Sequence, residues 1–222
     1  MKRSSMTSRL ADRSAAAYSD AIDRHYLWSI LMNAMSSPYQ RYLLLALLAV
    51  MAATRSHHVA TMTHLPDASW AIFFLGGFYI KRWDSFGILA VLAALVDYIA
   101  IQRFGVSDYC VSLAYPMLIP AYGALWMAGR WYGQHHRMHW ATLPFLVTAV
   151  VSGAVACEVL SGGSFYALSG RFAEATLAGY GAQFLRYFPA SLGGMAFYIL
   201  PVALVHAVAA AIAHHGQQAS AR

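Results

Sequence analysis

The sequence predicts an all-α polytopic membrane protein, a bundle of six transmembrane helices. The first observation behind this is composition: the 222 residues are 59% hydrophobic and only 11% charged, whereas a soluble domain carries about a quarter charged residues. The second is pattern. Apolar stretches recur along the chain, too many and too long for a leader alone, and no short apolar run with a small-residue cleavage site occurs near Met1. The mature chain is therefore expected to keep Met1.

Taken in order, residues 1–14 are polar and basic, with Lys2, Arg3, Arg9 and Arg13, and hold too little apolar surface for a core. Over 15–36, Ile22, Tyr26 and Ile30 recur at helical spacing around Asp20, Asp23, Arg24 and His25. This fits an amphipathic helix on the membrane surface or a plain linker. The organisation is then a cytoplasmic tail with a surface helix over 1–39, a six-helix membrane domain over 40–214, and a cytoplasmic tail over 215–222. Spanning segments are expected at 42–54, 68–80, 86–101, 110–131, 140–160 and 188–213. The first is short for a bilayer unless its flanks extend it. Pro116 and Pro120 should kink or break the first turn of the fourth.

Six helices put both termini on one side, and the basic residues say which. With the termini inside, the N-tail with Arg41, the Lys81-Arg82 turn, the Arg130 to Arg137 loop and Arg222 hold eleven of the fifteen Lys and Arg. Arg55, Arg103, Arg171 and Arg186 fall on the opposite loops. Positive charge is retained in the cytoplasm, so loops 55–67, 102–109 and 161–186 face outward. The last mixes glycines with Phe165, Tyr166, Phe172 and Tyr180, a pattern that fits a lid or a surface loop without a role.

Ligand-type side chains gather toward this outer face: His57, His58, His64, Asp67, Trp70, Asp97, Tyr98, Tyr109, Cys110, Tyr115 and Tyr187. Interfacial Trp and Tyr also serve as plain membrane anchors. Asp97 is the stronger signal, since a carboxylate inside an apolar helix is costly unless paired or facing a polar cavity; Arg103 is one partner within reach of this reading. Cys110 and Cys157 lie in different segments without CxxC spacing, so neither a disulfide framework nor a zinc site is indicated. Cys110 sits at the mouth of an apolar helix, where a thiolate can be a soft metal ligand or a nucleophile, or the residue can be a small hydrophobe. His206, within the sixth helix, reads as an interior hydrogen-bonded histidine.

The chain has no GxSxG nucleophile elbow, no HExxH and no Walker-type phosphate loop. It therefore lacks a nucleotide-binding unit of its own. No inverted repeat relates its halves, which favours a partner-dependent binding subunit over a self-sufficient transporter.

The stretches LPDASWAIFFLGGFYIKRW (65–83), DYIAIQRFGVSDYC (97–110) and AYPMLIPAYGALWMAGRWYG (114–133) resemble the BtuM family, bacterial cobalamin-specific substrate-binding (S) components of energy-coupling factor transporters. The resemblance covers about 65–133. It implies a six-helix S-component bundle in the bacterial inner membrane, with both termini cytoplasmic, that captures cobalamin on its outer face. It implies that Cys110 is the cobalt ligand and that His58 matches a histidine near the end of the first loop. Asp67, Trp70, Tyr98, Tyr109, Tyr115 and Tyr187 are then the expected vitamin contacts. Cobalamin is the substrate, and an energy-coupling factor coupling subunit with its ATPases, and membrane lipid, are the expected partners; nucleic acid is not.

A thiolate can occupy an axial position of the soft cobalt, and an aromatic cavity suits the broad corrin ring. Occupying one axial site would also assist loss of the opposite ligand, so that decyanation could accompany transport. A competing class is a membrane haem or quinone redox protein using His58 and His206, which the predicted topology puts at opposite depths. A structural assembly subunit without a ligand is the third.

Overall fold

The computed structural model describes residues 38–55, 65–105, 107–136 and 142–220, and their side chains apart from those of Cys110 and 209–220. The expected surface helix over 15–36 and His57, His58 and His64 lie outside the described residues. The chain divides into two units, Met1–Tyr42 and Leu43–Arg222; the second holds the helical bundle and the candidate site.

The described residues are all-helical. Six α-helices, α1 (Pro38–Arg55), α2 (Ser69–Tyr79), α3 (Trp83–Phe104), α4 (Leu118–His135), α5 (Leu143–Leu168) and α6 (Leu177–Ser220), are joined by short connections; two 3₁₀ turns, Asp108–Cys110 and Tyr115–Met117, lie between α3 and α4. Among the described residues three helices are long and apolar enough to cross a membrane: Trp83–Phe104, Leu143–Leu168 and, within α6, Leu177–Val208. That marks the chain as membrane-embedded. α2 is apolar but shorter.

Each helix takes its limits from local chemistry. In α1, Leu44, Leu47, Met51 and Thr54 are buried at three- and four-residue spacing, which gives the helix one packed face. Ala46, Ala49 and Ala53 lie on the exposed side. α2 is apolar all round and buried from Ala71 to Gly77, as expected of a central helix. It stops where Lys81 takes a left-handed φ of 63°, and the Lys81 carbonyl accepts a hydrogen bond from Arg130 Nη1 at 2.6 Å. α3 opens with Asp84 in its first turn and closes on Gly105, also left-handed, whose N–H donates to the Ala100 carbonyl; both features suit the helix dipole and its orphan carbonyls.

The fourth helix starts at Leu118 rather than at Cys110. Pro116 lies in a 3₁₀ turn and Pro120 in the first turn of α4, where the missing amide hydrogen has no intrahelical acceptor to lose. The expected long outer loop at 161–186 is mostly helix. α5 runs on through Gly162 and Gly163 to Leu168, and α6 starts at Leu177, leaving only 169–176 as connection. Aromatic contacts hold these glycine-rich turns: Tyr166 stacks near Phe172 (4.3 Å) and Tyr180 (5.9 Å).

α4 is clasped between α2 and α5. At the α2–α4 crossing the backbones touch: a Cβ on Gly77 would overlap the Trp126 carbonyl, and one on Gly129 the Phe74 carbonyl. On the other side, a Cβ on Gly153 of α5 would lie 2.8 Å from that of Ala128. Small residues permit this approach, which gains dispersion contacts where lipid supplies no hydrophobic drive. Trp126, Phe73 and Phe74 fill the centre. The outward faces of α3, α5 and α6 carry exposed Val91, Leu95, Val147, Val151, Leu200 and Leu204, a surface suited to lipid.

Candidate functional site

Two clusters form among the described residues: one joins the end of α1, the start of α2, α3 and α4, and the other joins the Asp108–Cys110 turn to the end of α5 and the 169–176 connection. The first is a charged network within an otherwise apolar interior. Arg55, at the last turn of α1, donates from Nε to Asp97 Oδ1 (2.7 Å) and from Nη2 to Asp97 Oδ2 (2.8 Å). Its Nη1 donates to Ser69 Oγ and to the Tyr122 hydroxyl, both at 2.8 Å. Asp67 Oδ2 stands 3.6 Å from Nη1, while Asp67 Oδ1 accepts from the Ser69 amide (2.9 Å) and hydroxyl (2.6 Å), capping α2. Tyr115 completes the set by donating to Asp97 Oδ2 at 2.8 Å. Burial and this bond to the carboxylate push the Tyr115 phenol well above its ordinary range, so it remains a donor at any physiological pH.

The carboxylate in the third helix therefore pairs with Arg55, not with Arg103, the one partner that the sequence reading named. Arg103 and Tyr98 lie on the outward side of α3, lining a groove with Leu95, Ile99 and Gln102. The physical reason is geometric. Arg103 lies on α3 itself, with Asp97 one and two-thirds turns away and so on a different face, whereas the end of α1 presents a planar guanidinium that matches the carboxylate bidentately. The Arg55 side chain is 9% exposed and that of Asp97 24%. Four helices thus share one ion pair.

The second cluster surrounds the turn that carries Cys110. The backbone of Asp108–Cys110 forms a 3₁₀ turn with Ser107 Oγ accepting from the Tyr109 amide. The Tyr109 ring lies 5.5 Å from that of Phe165 at the end of α5, and the Arg171 guanidinium sits 4.1 Å over it. The turn next to Cys110 is thereby fastened to the α5–α6 connection.

Of the residues expected at the site, Asp67 and Tyr115 join the charged network and Tyr109 joins the aromatic cluster. Trp70 is half-buried on α2 and packs against the core. Tyr98 is 63% exposed on the outward groove, and Tyr187 is 51% exposed, with Arg186 over its ring. Arg55, Ser69 and Tyr122 were not predicted: Arg55 reads as a loop cation, and only the cost of burying Asp97 signals that a cation must come to it. No family model matches the chain, and no curated protein matches it.

At the opposite end, His206 of α6 is hydrogen-bonded as the sequence suggests, with Nδ1 3.1 Å from the Tyr79 hydroxyl. Its Nε2 lies 3.2 Å from Nε2 of His136, whose Nδ1 is 2.8 Å from the Tyr132 hydroxyl. Burial, with the neighbouring His206, lowers the basicity of His136.

Proposed function

We propose that this protein is a six-span cobalamin-binding subunit of the bacterial inner membrane, taking the vitamin at the end of the bundle where Cys110 lies. The observation that carries the reading is the fastening of the Asp108–Cys110 turn to the α5–α6 connection through Tyr109, Phe165 and Arg171. A cysteine on a braced turn at a bundle end is a better ligand than one on a free loop, because less order is lost on binding. The resemblance over 65–133 supplies the identity of the ligand, and the aromatic side chains beside the turn offer surface for the corrin ring.

In this reading the Cys110 thiol gives its proton to water and the thiolate takes the lower axial position of the substrate's cobalt, from which the dimethylbenzimidazole leaves with its electron pair. Charge donation from sulfur weakens the opposite bond, and cyanide leaves with its electron pair when an external reductant supplies electrons to the metal. His58 is a further contact. Asp67 and Tyr115 act through the Arg55–Asp97 network at this end. With both termini cytoplasmic, the site opens outward, and ATP hydrolysis for uptake comes from an energy-coupling factor partner.

The test is binding by purified protein in detergent. One equivalent of cyanocobalamin should be retained through gel filtration with its corrin absorption, and haem should not be. Retention of haem with a Soret band, or of neither compound, would refute the reading.

A further inference from the structure

At the end of the bundle away from Cys110, two imidazoles, one from the residue that closes α4 and one from α6, bring their Nε2 atoms to 3.2 Å. Each ring has its other nitrogen against a tyrosine hydroxyl: His136 Nδ1 against Tyr132 at 2.8 Å and His206 Nδ1 against Tyr79 at 3.1 Å. This is the arrangement that fixes metal-ligating histidines, with one nitrogen held by an outer partner and the other directed at a shared point. Phe78 packs against both rings, 5.4 Å from His136 and 6.1 Å from His206, and limits their rotation.

The ring geometry separates two uses of such a pair. If the nitrogens faced each other along a straight shared hydrogen bond, the ring centres would stand about 5.5 Å apart, given a nitrogen about 1.2 Å from the centre of an imidazole ring. If both nitrogens pointed at a common ion about 2.05 Å from each, the centres would stand about 5.0 Å apart and the angle at the ion would be about 100°. The observed separation is 5.1 Å, with the rings inclined at 73°, shorter than a straight hydrogen bond allows and matched by a shared ion or by a hydrogen bond bent at both nitrogens. An angle of that size suits tetrahedral zinc and tetragonal copper or nickel, the ions that imidazole favours.

We propose that His136 and His206 are the protein ligands of a divalent transition-metal site of the zinc, nickel or copper class. Among the described residues no group of three His, Cys, Asp or Glu side chains forms a candidate site, so these residues supply the two imidazoles and no third ligand. The ion ties the end of α4 to α6 and, through Tyr79 and Phe78, to the end of α2. This site is independent of the cobalamin reading and involves none of its residues.

The experiment uses full-length protein in detergent, without a polyhistidine tag, and zinc chloride as the probe. The sequence has ten histidines, so the readout is the difference between wild type and the variants His136→Gln and His206→Gln, which keep a hydrogen-bonding side chain of similar reach. Competition with a chromophoric chelator should show one zinc equivalent bound at least about tenfold more tightly by wild type than by either variant. With cupric ion, the electron paramagnetic resonance spectrum of wild type should carry superhyperfine structure from two imidazole nitrogens, lost in both variants. Equal zinc affinity in all three proteins, or a loss confined to one variant, would overturn the proposal. Circular dichroism of the variants checks that each is folded.

Discussion

Removing either partner of the Arg55–Asp97 pair should destabilise the fold more than any other single polar substitution at the Cys110 end. In Asp97→Leu, Arg55 loses two charge-assisted bonds of 2.7 and 2.8 Å while its side chain remains 9% exposed. Stranding a buried charge costs about 3–5 kcal/mol. The remaining partners, Ser69 and Tyr122 at 2.8 Å and Asp67 at 3.6 Å, put the expected value near the lower bound, about 3 kcal/mol. Arg55→Met should cost a similar amount, because Asp97 then keeps only Tyr115. Because the charge left behind causes most of each loss, the double variant should be less damaged than the sum of the singles by about 2 kcal/mol. Tyr115→Phe, which removes one bond to the charged carboxylate, should cost about 1 kcal/mol. Equilibrium unfolding in mixed micelles titrated with sodium dodecyl sulfate measures each value. Single losses below about 1 kcal/mol that add in the double variant would refute the claim that this pair is an internal tie.

Further outcomes are expected from the packing and the exposed faces. Gly129→Leu should sharply lower the yield of folded protein, since even a Cβ there meets the Phe74 carbonyl, whereas Gly87→Ala, with open space around it, should be neutral or stabilising by up to about 1 kcal/mol; comparison of monodisperse yield and unfolding midpoint decides. Ala49→Leu together with Ala53→Leu, on the exposed side of α1, should abolish cobalamin uptake by cells and leave binding by purified protein intact, and equal loss of both would assign these residues to internal packing. In a chain with Cys110 and Cys157 replaced by serine, Ala173→Cys in the exposed 169–176 connection should react with a membrane-impermeant thiol reagent on intact cells. Labelling only after lysis would reverse the orientation.

The range of each interaction decides how much of it the sequence discloses. Helix identity is local, so composition and apolar runs predict an all-helical chain and approximate helix positions. The demand for a partner at Asp97 is also local, because it comes from the cost of a carboxylate in an apolar helix. The identity of that partner is not: Arg55 lies 42 residues away, on a helix whose end the loop-like pattern around it obscures. The 161–186 stretch is misread for a similar reason. Its glycines signal a loop by propensity, and contacts of Tyr166 with Phe172 and Tyr180 override that signal. The His136–His206 pair is beyond any local pattern, since it joins two helix regions 70 residues apart.

The central claim is that Cys110 supplies a thiolate to the cobalt of the substrate. The most direct measurement is the visible spectrum of purified wild type and Cys110→Ser after incubation with cyanocobalamin, with and without a reductant. Wild type should show shifted corrin bands and, with reductant, slow loss of cyanide; Cys110→Ser should show neither, because a neutral hydroxyl is a poor ligand for this soft metal. Cys157→Ser, a change at a fully buried position in α5, should behave as wild type. A Cys110→Ser protein that binds cobalamin with the same shifted spectrum as wild type would contradict the account.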